Sequence, residues 1–291
     1  MNEDGLAPLR DVAVTRVTGA GSSRETDAAA TEEPLEIRLH AQPFATIMRT
    51  PGHDRALAAG FLLSERVIRS HEDLGAVEHC RHPDRREAHH VVDVFLVGGA
   101  AARLSEALDA RRRLVATSAC GVCGRATIDD LRRDVAPLPV DETVTLELVR
   151  SLPRRLRETQ RVFDQTGGLH GAAIFSRAGD LLASAEDVGR HNAVDKAIGS
   201  LLLAPHDGVK SGFLIGRKNQ DLTPAVVAVS GRVAFEIVQK AWLGGIAVVV
   251  AVSAPTTLAI ELAREAGITL VGFARGDSLN IYTHERRVEG V

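Results

Sequence analysis

Ile246-Ala247-Val248-Val249-Val250-Ala251-Val252 is apolar from end to end. A strand with one face in water alternates, so this run reads as a central strand covered on both faces. Pro255 stands where the first turn of a following helix belongs, 257–266 continues that helix, and Gly267 stops it. Strands are expected beyond it at 268–273 and 279–282. Working back, 225–230 reads as a strand and 234–242 as a helix, with another strand at 213–215. A helix runs from just after Asp187 towards Leu203 on the stripe Val188, His191, Val194, Ala197, Ile198 and Leu201. Strands at 172–175 and 181–183 precede it. Strand and helix in alternation specify a sheet sandwiched by helices.

The first half is more mixed. Leu35, Ile37 and Leu39 alternate as in a strand, 44–49 reads as a second strand, and Pro51-Gly52 as a turn. Ala56, Leu57, Gly60, Phe61 and Val67 give 53–67 helical spacing. The stretch through His90 is polar and irregular. Its His79, Cys80, His82, His89 and His90 are too loosely spaced for a metal centre and read as a solvated loop. A strand follows at 91–97 and short helices at 104–114 and 126–133. Composition changes at 137–143, as in a linker. Helical spacing returns at Leu148, Leu152, Leu156 and Phe163, with Pro153 interrupting or restarting it, and 164–170 is a loop. Residues 1–31 are polar, lack aromatic residues and read as disordered. The division expected is therefore 1–31 as an extension, 32–143 as a smaller α+β domain, and 144–291 as an α/β domain.

Composition bounds the function. The 291 residues are 45% hydrophobic but only 3% aromatic, so the core must be built from Ala, Val, Leu and Ile. A formal charge of -3 gives no reason to expect nucleic acid as a partner. No apolar run reaches membrane-spanning length. The first ten residues lack the basic-then-apolar pattern of a signal peptide. Three cysteines form no disulfide framework, and a reducing cytoplasm is the expected compartment.

Two of those cysteines stand in Thr117-Ser118-Ala119-Cys120-Gly121-Val122-Cys123-Gly124. Thiols at this spacing can exchange a disulfide, share a metal or relay sulfur as a persulfide. Each chemistry needs a thiolate, which an ordinary cysteine with a pKa of about 8.5 supplies sparingly at neutral pH. Gly121 and Gly124 relax the backbone and admit a bulky reactant.

In such sheets ligands sit beyond the carboxyl ends of strands. The expected loops there carry His170; Arg190 and His191, with Asp195 and Lys196 after them; Ser230-Gly231-Arg232; Ser253-Ala254-Pro255-Thr256; and Phe273-Ala274-Arg275-Gly276-Asp277-Ser278. Glycine lets backbone N–H groups approach an anion, and Arg190, Arg232 and Arg275 can grip phosphates bidentately. A phosphorylated, nucleotide-like ligand is indicated. Structural alternatives stand beside these readings: His191 and Asp195, four apart, can pair with each other; His170 can fix its loop; Glu186-Asp187 can cap the next helix; Arg275 can be a surface charge. No Walker-type and no strand-linked G-x-G-x-x-G motif is present.

Taken as a set, the cysteine loop, 163–170, Glu186-Asp187-Val188-Gly189-Arg190-His191-Asn192-Ala193-Val194-Asp195-Lys196, and the three later loops resemble the FdhD family, the formate dehydrogenase accessory sulfurtransferases. The resemblance spans about 33–282. It implies a cytidine-deaminase-like three-layer domain beside the smaller α+β domain, with a flexible C-x-x-C loop between them, and a homodimer. It further implies that Cys120 and Cys123 accept persulfide sulfur from a cysteine desulfurase, Cys120 being the principal carrier. The sulfur passes to the molybdenum bis(molybdopterin guanine dinucleotide) cofactor destined for formate dehydrogenase. Residues 273–278 match the family's cofactor-binding segment, with His170, Arg190, His191, Asp195, Lys196 and Arg232 as further expected contacts. Deaminase chemistry is not expected: residue 119 is alanine where that chemistry needs P-C-x-x-C, and no H-x-E element occurs upstream. The rivals are a thiol–disulfide redox protein, a metal-binding module, for which about four ligands are needed, and a non-catalytic cofactor chaperone.

Overall fold

A computed structural model describes residues 6–80, 88–114, 135–140, 142–204 and 224–291. The helix expected at 126–133, the strand at 213–215, His82 and the whole cysteine loop lie outside them.

Within the stretch expected to be disordered, residues 9–30 are ordered. β1 (Leu9–Thr18) and β2 (Gly21–Ala30) form an antiparallel ribbon whose turn lies between Thr18 and Gly21. Cross-strand pairs that are themselves polar hold it, such as Arg16 to Glu25 at 2.6 Å. It is partly buried only at Leu9, Val14 and Ala28–Ala30. A low-hydrophobicity criterion misses such a ribbon because it has almost no apolar face.

β3 (Glu33–Leu39) alternates as its sequence demands, with Leu35, Ile37 and Leu39 fully buried. It pairs antiparallel with β4 (Gln42–Arg49) through a two-residue turn in which His40 and Ala41 both take positive φ. The helix α1 (Asp54–Ser64) follows. The stretch expected to be irregular contains β5 (Leu74–His79), an edge strand on which Val77 alone is buried. β6 (Val91–Leu96) completes a four-stranded sheet of order β4-β3-β6-β5, and α2 (Gly98–Ala102) and α3 (Leu104–Leu114) follow.

The short β7 (Val144–Thr145) leads into α4 (Leu146–Thr159), which runs through Pro153 because Val149, Leu152 and Leu156 are all anchored in the core. The helix α5 (Arg161–Thr166) occupies part of the expected loop. β8 (His170–Ser176), β9 (Leu181–Asp187), α6 (Arg190–Leu202), β10 (Pro224–Val229), α7 (Phe235–Leu243), β11 (Val248–Ala251), α8 (Thr257–Glu265), β12 (Thr269–Arg275) and β13 (Ser278–Ile281) build a six-stranded sheet of order β13-β12-β11-β10-β8-β9. A last short strand, β14 (Val288–Glu289), pairs with β7.

The centre of the apolar run that opened the analysis is β11, all of whose residues are buried. Its Val248 and Val250 face α4, where they meet Val149, Leu152, Phe175 and Val226. Val249 and Ala251 face the other way, towards Val194, Ile198, Val238 and Leu262 of α6, α7 and α8. That second core is continuous with the first sheet, taking in Leu35, Ile37, Leu57, Leu62, Val92 and Val94. The junction is the contact of α1 with α6, and glycine makes it possible. A Cβ on Gly60 would lie 2.0 Å from the Asp195 carbonyl oxygen, and one on Gly199 would lie 1.8 Å from that of Ala56. Among the described residues no helix is long and apolar enough to cross a membrane.

Candidate functional site

β10, β11 and β12 run parallel, β8 runs against β10, and β9 runs against β8. The carboxyl ends of β9, β10, β11 and β12 and the amino end of β8 therefore share one edge of the sheet. The polar loops singled out by sequence converge there.

Ser230 ties two of them together. Its N–H donates to the Gly171 carbonyl at 3.0 Å, and its Oγ accepts from the Gly171 N–H at 2.9 Å. This sets His170 against Gly231, where a Cβ would come within 3.3 Å of His170 Nδ1 and 3.7 Å of the Arg190 Cδ. His170, Arg190 and the loop carrying Arg232 thus meet, from three separate elements. Arg232 is exposed. Arg190 Nε is buried without a hydrogen-bond partner among the described residues. His191, the next residue, points to Glu236 on α7, with 3.6 Å between Nε2 and the carboxylate.

The two histidines are not the source of positive charge here. Burial and the adjacent Arg190 push His170 below its ordinary value, against an opposing pull from Asp187. Burial pushes His191 down to about 4; Glu236 opposes the shift, while Lys240, Arg190 and His170 add to it. Both imidazoles are neutral at neutral pH, and Arg190 and Arg232 carry the cationic charge.

Asp195 and Lys196, expected as ligand contacts, lie inside the protein. Lys196 is 1% exposed and donates to the Thr50 carbonyl and an Asp187 oxygen, each at 2.7 Å, and more weakly to the Glu186 carbonyl. Asp195 is 2% exposed and takes both of its close contacts with Lys240, at 2.8 and 2.7 Å, plus the Ser64 hydroxyl at 2.8 Å. Burial raises its pKa, opposed by Lys240. Its partner is therefore Lys240, and His191 is matched with Glu236. The run from Glu186 to Lys196 is largely a buried clamp between the two sheets. Asp187 accepts from Gly189 N–H, Asn192 Nδ2 and Thr50 N–H. Glu186 caps a helix, but the preceding one: it accepts from the N–H groups of Val162 and Phe163 at the start of α5.

The segment 273–278 forms the turn from β12 to β13. Phe273 holds φ at 53°, a conformation rare for an aromatic residue, and the residue is 42% exposed. Ala274 is buried. Arg275 Nε donates to the Val252 carbonyl at 2.9 Å, which leaves the rest of its guanidinium outward. An open groove of about 790 Å³, lined in part by Arg150, Arg275, Asp277, Ser278 and Glu285, lies against this turn. Three strand spacings separate β12 from β8, roughly 15 Å along the edge. The edge thus carries Arg190 and Arg232 near β8 and, beyond the Ser253–Pro255 loop, Arg275 in a groove of mixed charge with Arg150, Asp277 and Glu285. Glu236 is an addition that sequence reading passed over. Glu236 lies one turn of α7 ahead of Lys240, a spacing that mirrors His191 and Asp195 on α6. Cys120 and Cys123 lie outside the described residues, and among those residues no group of three His, Cys, Asp or Glu side chains is placed to hold a metal ion.

Comparison with known proteins adds an independent line. The model of the FdhD/NarQ family matches residues 30–289. The sulfur carrier protein FdhD of Anaeromyxobacter dehalogenans is 46% identical over 282 residues, covering 97% of this chain and 95% of that protein. Its counterpart in Streptomyces coelicolor is 46% identical over 283 residues, with 94% of each chain covered. The protein of the same name in Saccharolobus solfataricus is 42% identical over 281 residues. Among solved structures, a candidate formate dehydrogenase accessory protein from Desulfotalea psychrophila superposes with a TM-score of 0.72 over 97% of this chain and all of that one. At 22% identity that likeness speaks for the fold.

Proposed function

The chain belongs to the FdhD/NarQ family, and from this premise we propose that it is a cytoplasmic sulfurtransferase that sulfurates a molybdenum cofactor for formate dehydrogenase. The observation that carries the reading is the meeting of His170, Arg190 and the Gly231-Arg232 loop on one sheet edge, in a chain that also holds the Cys120-Gly121-Val122-Cys123 pair. Glycine, exposed arginine and neutral imidazole suit a phosphorylated ligand with a polar ring. The two dinucleotide arms of the bis(molybdopterin guanine dinucleotide) cofactor supply both. The three-layer half is then the cytidine-deaminase-like domain, and the active form is a homodimer.

The chemistry balances without an external oxidant. The Cys120 thiolate attacks the outer sulfur of a cysteine desulfurase persulfide. That S–S bond breaks, the desulfurase thiolate leaves, and Cys120 holds the persulfide. Attack by the Cys123 thiolate on the inner sulfur of Cys120 then forms a Cys120–Cys123 disulfide and releases hydrosulfide to the bound cofactor. A cellular thiol reductant restores the pair. Arg190 and Arg232 bind phosphate oxygens and fix the cofactor, and the neutral histidines contribute hydrogen bonds to its polar groups.

The test is intact mass after incubation with a cysteine desulfurase and cysteine. The parent gains about 32 Da per accepted sulfur and loses it on reduction, whereas Cys120→Ala gains none. An unchanged mass in the parent, with a competent desulfurase present, contradicts the proposal.

A further inference from the structure

The ribbon of β1 and β2 lies almost wholly outside the stretch that the family model matches, which begins at residue 30. Its pairing runs without a bulge from Leu9 opposite Ala30 to Thr18 opposite Gly21, about 30 Å of strand. Two strands alone are marginally stable in water, and three or more are needed for independent stability. Apart from Leu9, Val14 and Ala28–Ala30, the residues of this ribbon are exposed. Val12 is 39% exposed and Val17 76%.

The two edges of the ribbon differ. A strand that must stay unpaired is guarded by lysine, proline, a bulge or charges without partners. β1 has no lysine, proline or bulge. Its two arginines are already matched within the chain, Arg10 with Glu33 and Arg16 with Glu25. β2 carries Arg24, Glu25 and Asp27 close together and lies against α5. The open edge is therefore that of β1, and β2 is the guarded one.

We propose that the β1 edge pairs with the β1 edge of a second copy of this chain, joining two ribbons into one four-stranded sheet. The inference rests on the homodimer reading above and names its surface. A two-fold axis normal to the ribbon sets β1 antiparallel to its own copy, and each face of the ribbon stays on its own side. Residues opposite one another then share a face, and the side chains select the register. With the axis at Val14, Val12 faces the partner's Arg16 and Asp11 faces the partner's Val17, and no like charges are opposed over residues 10–18. With the axis at Ala13, one residue nearer the base, Arg10 faces the partner's Arg16, and like charges directly opposite destabilise a sheet. The guarded β2 edges end the sheet on both sides, so the pairing closes at two copies and does not run on into a filament.

Sedimentation equilibrium of the full chain tests this through the sign of one charge. Val17 is exposed and faces Ser22 across its own ribbon, so substitutions there leave the fold intact, which matching circular dichroism certifies. Val17→Asp sets two carboxylates against Asp11 residues by symmetry and raises the dimer dissociation constant about 10-fold. Val17→Lys sets an ammonium there and lowers it. Adding Asp11→Ala to Val17→Asp restores the affinity of the parent. A dimeric parent that responds to neither substitution, or alike to both, overturns the inference and leaves the homodimer on another surface. A parent that stays monomeric at every concentration contradicts the homodimer reading together with the inference.

Discussion

His191 owes its charge state to its surroundings. A histidine in the unfolded chain titrates near 6.5, whereas here burial, Lys240, Arg190 and His170 outweigh Glu236 and bring it to about 4. Between those values the unfolded chain binds a proton that the folded chain refuses. Its contribution is therefore neutral above about pH 6.5 and increasingly destabilising as pH falls to about 4. Urea midpoints at pH 7 and pH 5 check this: the parent loses more stability on acidification than His191→Gln, and equal losses contradict it. At this scale the sequence was half legible. It pointed to His170, Arg190 and Arg232 because glycine, cation and imidazole recur in loops that follow strands. It gave no sign that Asp195 and Lys196 turn inward, because their partners Lys240 and Thr50 lie 45 and 146 positions away. Charged residues on a helix read as solvent-facing until the element packed against them is known.

Helices and strands were legible where periodicity has a simple cause. β11 announced itself because both faces are covered, so no polar residue interrupts it. β5 did not, because an edge strand with one buried residue leaves almost no pattern. Gly60 and Gly199 illustrate a further limit. Each counts against its helix by propensity, yet each is required because α1 and α6 approach backbone to backbone. A methyl group at Gly199 would sit 1.8 Å from the Ala56 carbonyl oxygen, and a carbonyl has no rotamer into which to retreat. Gly199→Ala is therefore expected to destabilise the fold by about 3 kcal/mol or more, at the upper end of overpacking costs. Chemical denaturation measures it, and a loss below about 1 kcal/mol would show that the helices can separate cheaply.

The whole molecule joins two sheets through one buried clamp and presents one polar edge. Lys196 and Asp187 bind the Thr50 turn of the first sheet, while Arg49 and Asp54 form a fully buried bidentate pair just beyond it. These pairs fix the start of α6, and with it Arg190 and His191, relative to β10 and its Gly231-Arg232 loop. The sequence suggests a division into halves by its change from mixed to alternating pattern. The continuity of the core across that division was not, because it depends on which faces of α1 and α6 meet. The central claim is that this edge holds the cofactor that receives the sulfur. The most direct test is to load Cys120 with isotopically labelled persulfide, add the bis(guanine dinucleotide) molybdenum cofactor, and measure label in the cofactor for the parent and for a variant with both Arg190→Ala and Arg232→Ala. The account predicts that label moves to the cofactor in the parent and stays on the protein in the variant, which still accepts sulfur. Label that never leaves the parent, or that moves equally well in both, would contradict it.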